Sequence, residues 1–265
     1  MLLRIWAWAF LAFLYAPVVL ITLFSFHSTP SLTFPFTGFS LRWYHTIFSN
    51  ADFMQSLWNS VRVATLSAVA TTLLGAMAAL ALVRLNGPVK TAFAFLSFSP
   101  IALPGLFLGI ALVALFAQFG ISRSLTTVVI AHVLFTLPFF IEAMRSSVEY
   151  FDLTLEDAAR DLGATPFQTF RLVTLPIIAP TIAGAAILCF ALSFDEFIIT
   201  VFASGSDTTL PLFVFSMMRR TIDPTINAAS VLALAVSTLV LVIGGLLMWY
   251  RRRTAINSRA NQTGE

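Results

Sequence analysis

The chain has 265 residues, of which 58% are hydrophobic and only 10% charged, and its mean hydropathy is +0.91. Soluble domains carry roughly 25% charged residues, so the composition excludes an ordinary soluble fold and describes a membrane protein. The formal net charge of +3 says little by itself; the placement of the arginines between apolar runs says more.

About 20 apolar residues cross a bilayer as a helix. Six segments meet that length, approximately 5–26, 57–83, 91–117, 125–143, 177–201 and 228–250, which predicts an all-α membrane protein built as a single domain over 1–265. The first run is longer than the roughly 7–15 residues of a signal-peptide core and no small-x-small cleavage site closes it, so it reads as a retained span. Residues 38–55 follow, with Ser40 as a candidate N-cap and Trp43 and Tyr44 as interfacial aromatics. In the third span Pro100, Pro104 and Gly105 either break the helix or bend it. His132 and Glu142, in or beside the fourth span, read as helix-contact groups. Cys189 is the only cysteine, so no intrachain disulfide forms, and His27, His45 and His132 are too scattered for a metal site. Residues 210–218 are apolar but too short to span.

An even number of spans puts both termini on one side. If that side is the cytoplasm, the inside loops hold Arg4, Arg84, Lys90, Arg145, Arg160, Arg171, Arg251, Arg252, Arg253 and Arg259, against Arg42, Arg62, Arg123, Arg219 and Arg220 outside. Ten against five satisfies the positive-inside rule and places the 144–176 loop in the cytoplasm.

That loop contains a polar island, TLEDAARDLGATPFQTFRLVTLP, from Thr154 to Pro176. Thr154 and Asp157 have the spacing of a capping box that starts a helix, and Gly163 can end it in the left-handed conformation. Thr165 then caps a second helix, with Pro166 at its first position and Gln168 closing a second box, and Pro176 limits how far it runs. The expectation is two short helices bent at Gly163, with Ala158, Ala159 and Gly163 leaving room for another protein's surface. The stretch resembles the EAA loop of ABC-importer permeases: Asp157-Ala158-Ala159, three residues, Gly163, nine residues, then Val173-Thr174-Leu175-Pro176. It departs from the pattern with Asp157 for Glu and Val173 for Ile. The resemblance implies that Asp157, Ala158, Ala159, Gly163, Leu175 and Pro176 belong to a coupling element docking on a cytoplasmic ATPase.

Asp195 and Glu196 lie within ALSFDEFIIT of the fifth span. A carboxylate in hydrocarbon costs about 2.5–3.5 kcal/mol on insertion scales, so it should face a cavity or a partner. Read as a continuous helix from Ile177, the span places them roughly 27–29 Å along, towards its outer end. Glu196 then shares a stripe with Ser193 and Thr200, the better lining for a water-filled path, while Asp195 pairs with a base or a neighbouring helix. Arg62, near the outer end of the second span, is the candidate base for a structural ion pair.

SFDEF followed by Thr209-Leu210-Pro211-Leu212 resembles the second permease subunit of spermidine/putrescine-type importers, and Arg42-Trp43-Tyr44, Trp58-Asn59-Ser60 and Pro100–Gly105 agree with it. This resemblance implies a bacterial inner-membrane permease that pairs with a different permease, two ATPases and an extracytoplasmic solute-binding protein. By the same resemblance it would carry a small cationic solute, sit in membrane lipid and involve no nucleic acid. The only lysine, Lys90, does not sit in a G-x-x-x-x-G-K-[ST] loop, so the chain lacks that ATP-binding motif and ATP and Mg would be bound by the partner subunits. Three rivals are an importer of another solute such as an amino acid derivative, a secondary transporter with Asp195 and Glu196 as ion sites, and a structural subunit without a path. The second predicts inverted repeats, which the sequence does not show; the third leaves the paired acids unexplained.

Overall fold

A computed structural model describes the backbone of residues 2–219 and 223–262, and the side chains of these except Leu2, Ser146 and 251–262. Arg220 and the side chains of Arg251, Arg252, Arg253 and Arg259, used above for topology, lie outside the described residues.

The helices in chain order are α1 (Leu2–Ser25), α2 (Arg42–Phe48), α3 (Ala51–Arg84), α4 (Gly87–Phe98), α5 (Gly105–Gln118), α6 (Leu125–Glu149), α7 (Thr154–Asp161), α8 (Pro166–Thr169), α9 (Leu175–Phe194), α10 (Ile198–Ala203), α11 (Leu210–Met218) and α12 (Pro224–Gln262). Among the described residues, five stretches are long and apolar enough to cross a membrane, or six if α4 and α5 form one broken span. The prolines of the third span break it: α4 runs into a 3₁₀ turn over Ser99–Ala102, and α5 leaves Pro104 at 105° to it. Proline lacks the N–H that would continue the ladder and clashes with the preceding turn.

The fifth span differs from its expected course at both ends. Pro176 does not limit the second loop helix. A π-helical segment, Phe170–Thr174, joins α8 to α9, with the Leu175 N–H bonded back to the Phe170 carbonyl. The wider turn carries the chain past a proline that an unbroken α-helix accommodates poorly. At the far end, helix stops at Phe194 and resumes at Ile198, so Asp195, Glu196 and Phe197 form an interruption rather than consecutive helical positions.

The chain divides into two compact units, one of residues up to Ser60 with Thr208–Thr238, the other Val61–Asp207 with the chain from Leu239 on. In the first unit, Trp43 donates its indole N–H to the His27 carbonyl at 2.6 Å and Tyr44 shares a hydrogen bond with Ser25 at 2.7 Å. Ser40 is displaced by one place from the expected cap: Leu41 is the N-cap, while the Ser40 hydroxyl accepts from the Arg42 N–H. The start of α11 is held by α3, where the Asn59 amide donates to the Thr208 carbonyl (2.9 Å) and Ser60 Oγ accepts from the Leu210 N–H (2.8 Å). Two stretches 150 residues apart in sequence thus complete each other's hydrogen bonding.

The second unit has two apolar cores. Leu108, Leu112 and Phe116 of α5 pack with Val128 and Ala131 of α6 and Ile199 and Ala203 of α10. Gly109 makes this approach possible, because a Cβ there would meet the Phe202 ring at 2.7 Å. The other core joins Ala68 and Ala79 of α3, Phe140, Met144 and Val148 of α6, and Ile178, Ala185 and Cys189 of α9.

Candidate functional site

The polar loop is built by local chemistry first. Leu153, not Thr154, is the N-cap of α7, and the preceding Asp152 fixes the turn into it: its Oδ1 accepts from the Thr154 N–H at 3.0 Å and from the Thr154 hydroxyl at 2.7 Å. The expected Thr154–Asp157 box is therefore absent. A carboxylate is the stronger acceptor, and it turns the threonine hydroxyl into a donor. These two bonds hold the exposed Asp152 carboxyl below the usual carboxylate range, the hydroxyl bond contributing most. At the other end α7 closes as foreseen. Gly163 has φ +84°, its N–H reaches the Arg160 carbonyl, and the Ala164 N–H reaches Ala159, the paired bonds of a Schellman motif. The box on α8 is also present, with Thr165 N–H donating to Gln168 Oε1 and Gln168 N–H to Thr165 Oγ1.

Asp157 points outward, its side chain 70% exposed, and among the described residues its ion pair is with Arg160 on its own helix at 3.5 Å. Ala158 and Gly163 are exposed and Ala159 half-buried, while Leu162 and Phe167 show large apolar surfaces beside them. Leu175 and Pro176 lie at the start of α9, past the π segment. The residue that sequence reasoning missed is Glu156, which is buried. Its Oε1 accepts from Arg84 Nη2 and from Thr174 Oγ1, each at 2.6 Å, and its Oε2 lies 3.7 Å from Arg160 Nη2. Burial pushes this carboxyl up, but the bonds from Thr174 and Arg84 and the attraction of Arg84 and Arg160 outweigh it, and the net shift is downward. Removing one partner of a buried ion pair costs about 3–5 kcal/mol; water reaching the half-exposed Arg84 reduces that here.

The second site is the interruption in the fifth span. Glu196 Oε1 accepts from the Ile199 N–H at 3.0 Å and so caps α10. Ser193 ends up on α9 and Thr200 on α10, so the expected single helical stripe is broken; both are buried, and the group they meet is His132 of α6. Its Nδ1 lies 2.8 Å from Ser193 Oγ and its Nε2 2.9 Å from Thr200 Oγ1. Thr200 spends its own proton on the Glu196 carbonyl at 2.8 Å, so the histidine donates from Nε2 and accepts at Nδ1 from Ser193. One imidazole thus spans the break from α9 to α10. Glu196 is half-buried, whereas Asp195 and Arg62 are exposed. His132 was read as a helix-contact group, which it is; its link to the acidic pair has no local sequence signal. Glu142 is half-exposed and lies 3.7 Å from Arg145 on its own helix.

The family described as "Binding-protein-dependent transport system inner membrane component" matches residues 71–256. The chain is 34% identical over 255 residues to the putrescine transport system permease protein PotI of Escherichia coli (strain K12), covering 93% of this chain and 89% of that protein. It is 32% identical over 241 residues to the spermidine/putrescine transport system permease protein PotC of the same organism, covering 91% and 90%. The chain belongs to this family of ABC-importer permeases. The permease also shares its fold with a chain of a bacterial ABC transporter that imports alginate (TM-score 0.73, 16% identity, 94% of both chains). A second structural neighbour is the inward-facing MetNI methionine ABC transporter (TM-score 0.62, 18% identity, 74% of this chain and 94% of that one). The matched family segment contains both sites described above. As a member of a permease family, the chain is a non-catalytic, multi-span subunit of the inner membrane.

Proposed function

We propose that this permease forms one half of an ATP-driven import path for a polyamine or a similar cationic amine. The observation that carries the reading is the likeness, over 93% and 91% of the chain, to two permeases whose names both specify putrescine. Residues 1–265 act as one permease domain, with both termini and the 144–176 loop in the cytoplasm, the orientation favoured by the arginine count. The bent pair α7–α8 docks on a partner ATPase, which binds ATP and Mg and whose closure the loop passes to the spans. The exposed Asp157, Ala158, Gly163, Leu162 and Phe167 suit that contact, since small groups admit a close surface and the apolar ones gain by burial. A different permease completes the path, and an extracytoplasmic binding protein delivers the solute.

A cationic amine entering a narrow, low-dielectric path loses hydration, and a carboxylate there offsets part of the loss. Glu196 takes that role at the break in the fifth span, beside the buried Ser193 and Thr200. Asp195 serves as the ion-pair partner of Arg62. Co-purification through a tag on this chain, with mass spectrometry of the bound subunits and solutes, tests the reading. It predicts a second permease, an ATPase and a diamine or triamine. Recovery of an amino acid derivative in place of the amine would move the permease to a different solute class, and recovery of no ATPase would refute the mechanism.

A further inference from the structure

The geometry points to Glu156 as the residue that locks the polar loop to the second and fifth spans, a positioning residue through which movement of α7 reaches both. This rests on the reading of α7–α8 as the ATPase-docking element. Glu156 stands in the first turn of α7, one residue before the exposed Asp157, and is only 5% exposed. Its two short bonds reach two different elements. Arg84 is the last residue of the 34-residue helix α3, and Thr174 ends the π segment that runs into α9. One carboxylate oxygen therefore joins the ends of two spans to the loop between them.

The chemistry of the link matters. Apolar side chains in contact can slide over one another, because dispersion is short-ranged but not directional. Charge-assisted hydrogen bonds are short and oriented, and a buried carboxylate has no water to exchange them for. A displacement of α7 thus either carries the ends of α3 and α9 with it or breaks these bonds. The two neighbouring acids divide the work: Asp157 faces the partner surface, and Glu156 faces inward and anchors.

The test uses the assembled complex with Cys189→Ala in this chain and single cysteines scanned across residues 62–74 of α3. A membrane-permeant maleimide reports labelling with and without ATP, a readout that needs no knowledge of the solute. The parent complex should show positions whose labelling changes when ATP binds. In Glu156→Gln, which still accepts from Thr174 but loses its charge, the ATPase should co-purify and hydrolyse ATP while the ATP-dependent change is lost. The charge swap Arg84→Glu with Glu156→Arg should restore it. Retention of the change in Glu156→Gln overturns the inference. So does loss of the ATPase from that variant, which would make Glu156 a shaper of the docking surface, or failure of the swap to restore the response. If the parent itself shows no ATP-dependent change, the reading of the loop as a coupling element fails first, and the inference fails with it.

Discussion

Replacing His132 by leucine is the sharpest probe of the interrupted span. Leucine is apolar and of similar size, so the substitution removes two buried hydrogen bonds, to Ser193 at 2.8 Å and Thr200 at 2.9 Å, with little change in packing volume. Interhelical hydrogen bonds in membrane proteins average about 0.6 kcal/mol each and reach about 1.7. Loss of both should cost about 1.2 kcal/mol, close to an eightfold change in the folding equilibrium. The loss stays modest because Thr200 already donates to the Glu196 carbonyl and keeps that bond in the variant. Unfolding of the purified chain in lipid–detergent micelles, followed by intrinsic fluorescence, measures the difference. Ser193→Ala and Thr200→Val, alone and combined with His132→Leu, complete a double-mutant cycle in which the losses should be less than additive. Wild-type stability in His132→Leu, or strictly additive losses, would refute the claim that this imidazole fastens α9 to α10.

Three further outcomes follow from the sites. Gly163→Arg should insert and assemble in the membrane yet abolish ATP-coupled import in a proteoliposome uptake assay. Space beside Gly163 is open, so the folding cost is the strain of φ +84°, about 1–2 kcal/mol, while the long side chain obstructs docking. Glu196→Gln should cut uptake of a cationic amine strongly at normal membrane abundance, whereas Asp195→Asn should lower the amount of assembled complex, as read by quantitative immunoblotting and flux at matched abundance. The Glu156 carboxyl is held below its ordinary value of 4.5, so its charged form stabilises the fold above that pH, and the contribution is lost as pH falls through the lowered folded value. The stability gap between wild type and Glu156→Gln, measured by thermal unfolding, should therefore be constant near neutrality and close only below about pH 4.5.

Several signals carried by near neighbours were legible in the sequence. The left-handed Gly163 and the Thr165–Gln168 box both follow from residues within one turn of each other. The six apolar runs match five continuous spans and one broken pair among the described residues, because length and hydropathy are one-dimensional properties, although the bounds of the fifth differ. The break at Asp195–Phe197 left no such mark: SFDEFIIT contains neither glycine nor proline, and its apolar residues continue the run on both sides. What holds that break is His132, 61 residues from Ser193 and 68 from Thr200. Glu156 was hidden for the same reason, since its partner Arg84 is 72 residues away and the neighbouring Asp157 occupied the acidic position of the resemblance, as an aspartate in place of its glutamate. The start of α7 was misplaced through a competition within three residues, where the Asp152 carboxylate takes the N–H and hydroxyl of Thr154 and leaves Leu153 as the N-cap.

The central claim is that this permease admits a cationic amine under power supplied by ATP. The most direct measurement is uptake of radiolabelled putrescine into proteoliposomes holding the assembled complex, with the solute-binding protein outside, ATP trapped inside and no ion gradient. Uptake that requires the internal ATP and stops when ATP is replaced by a non-hydrolysable analogue is the predicted result. Uptake driven by a proton or sodium gradient in the absence of ATP would contradict it.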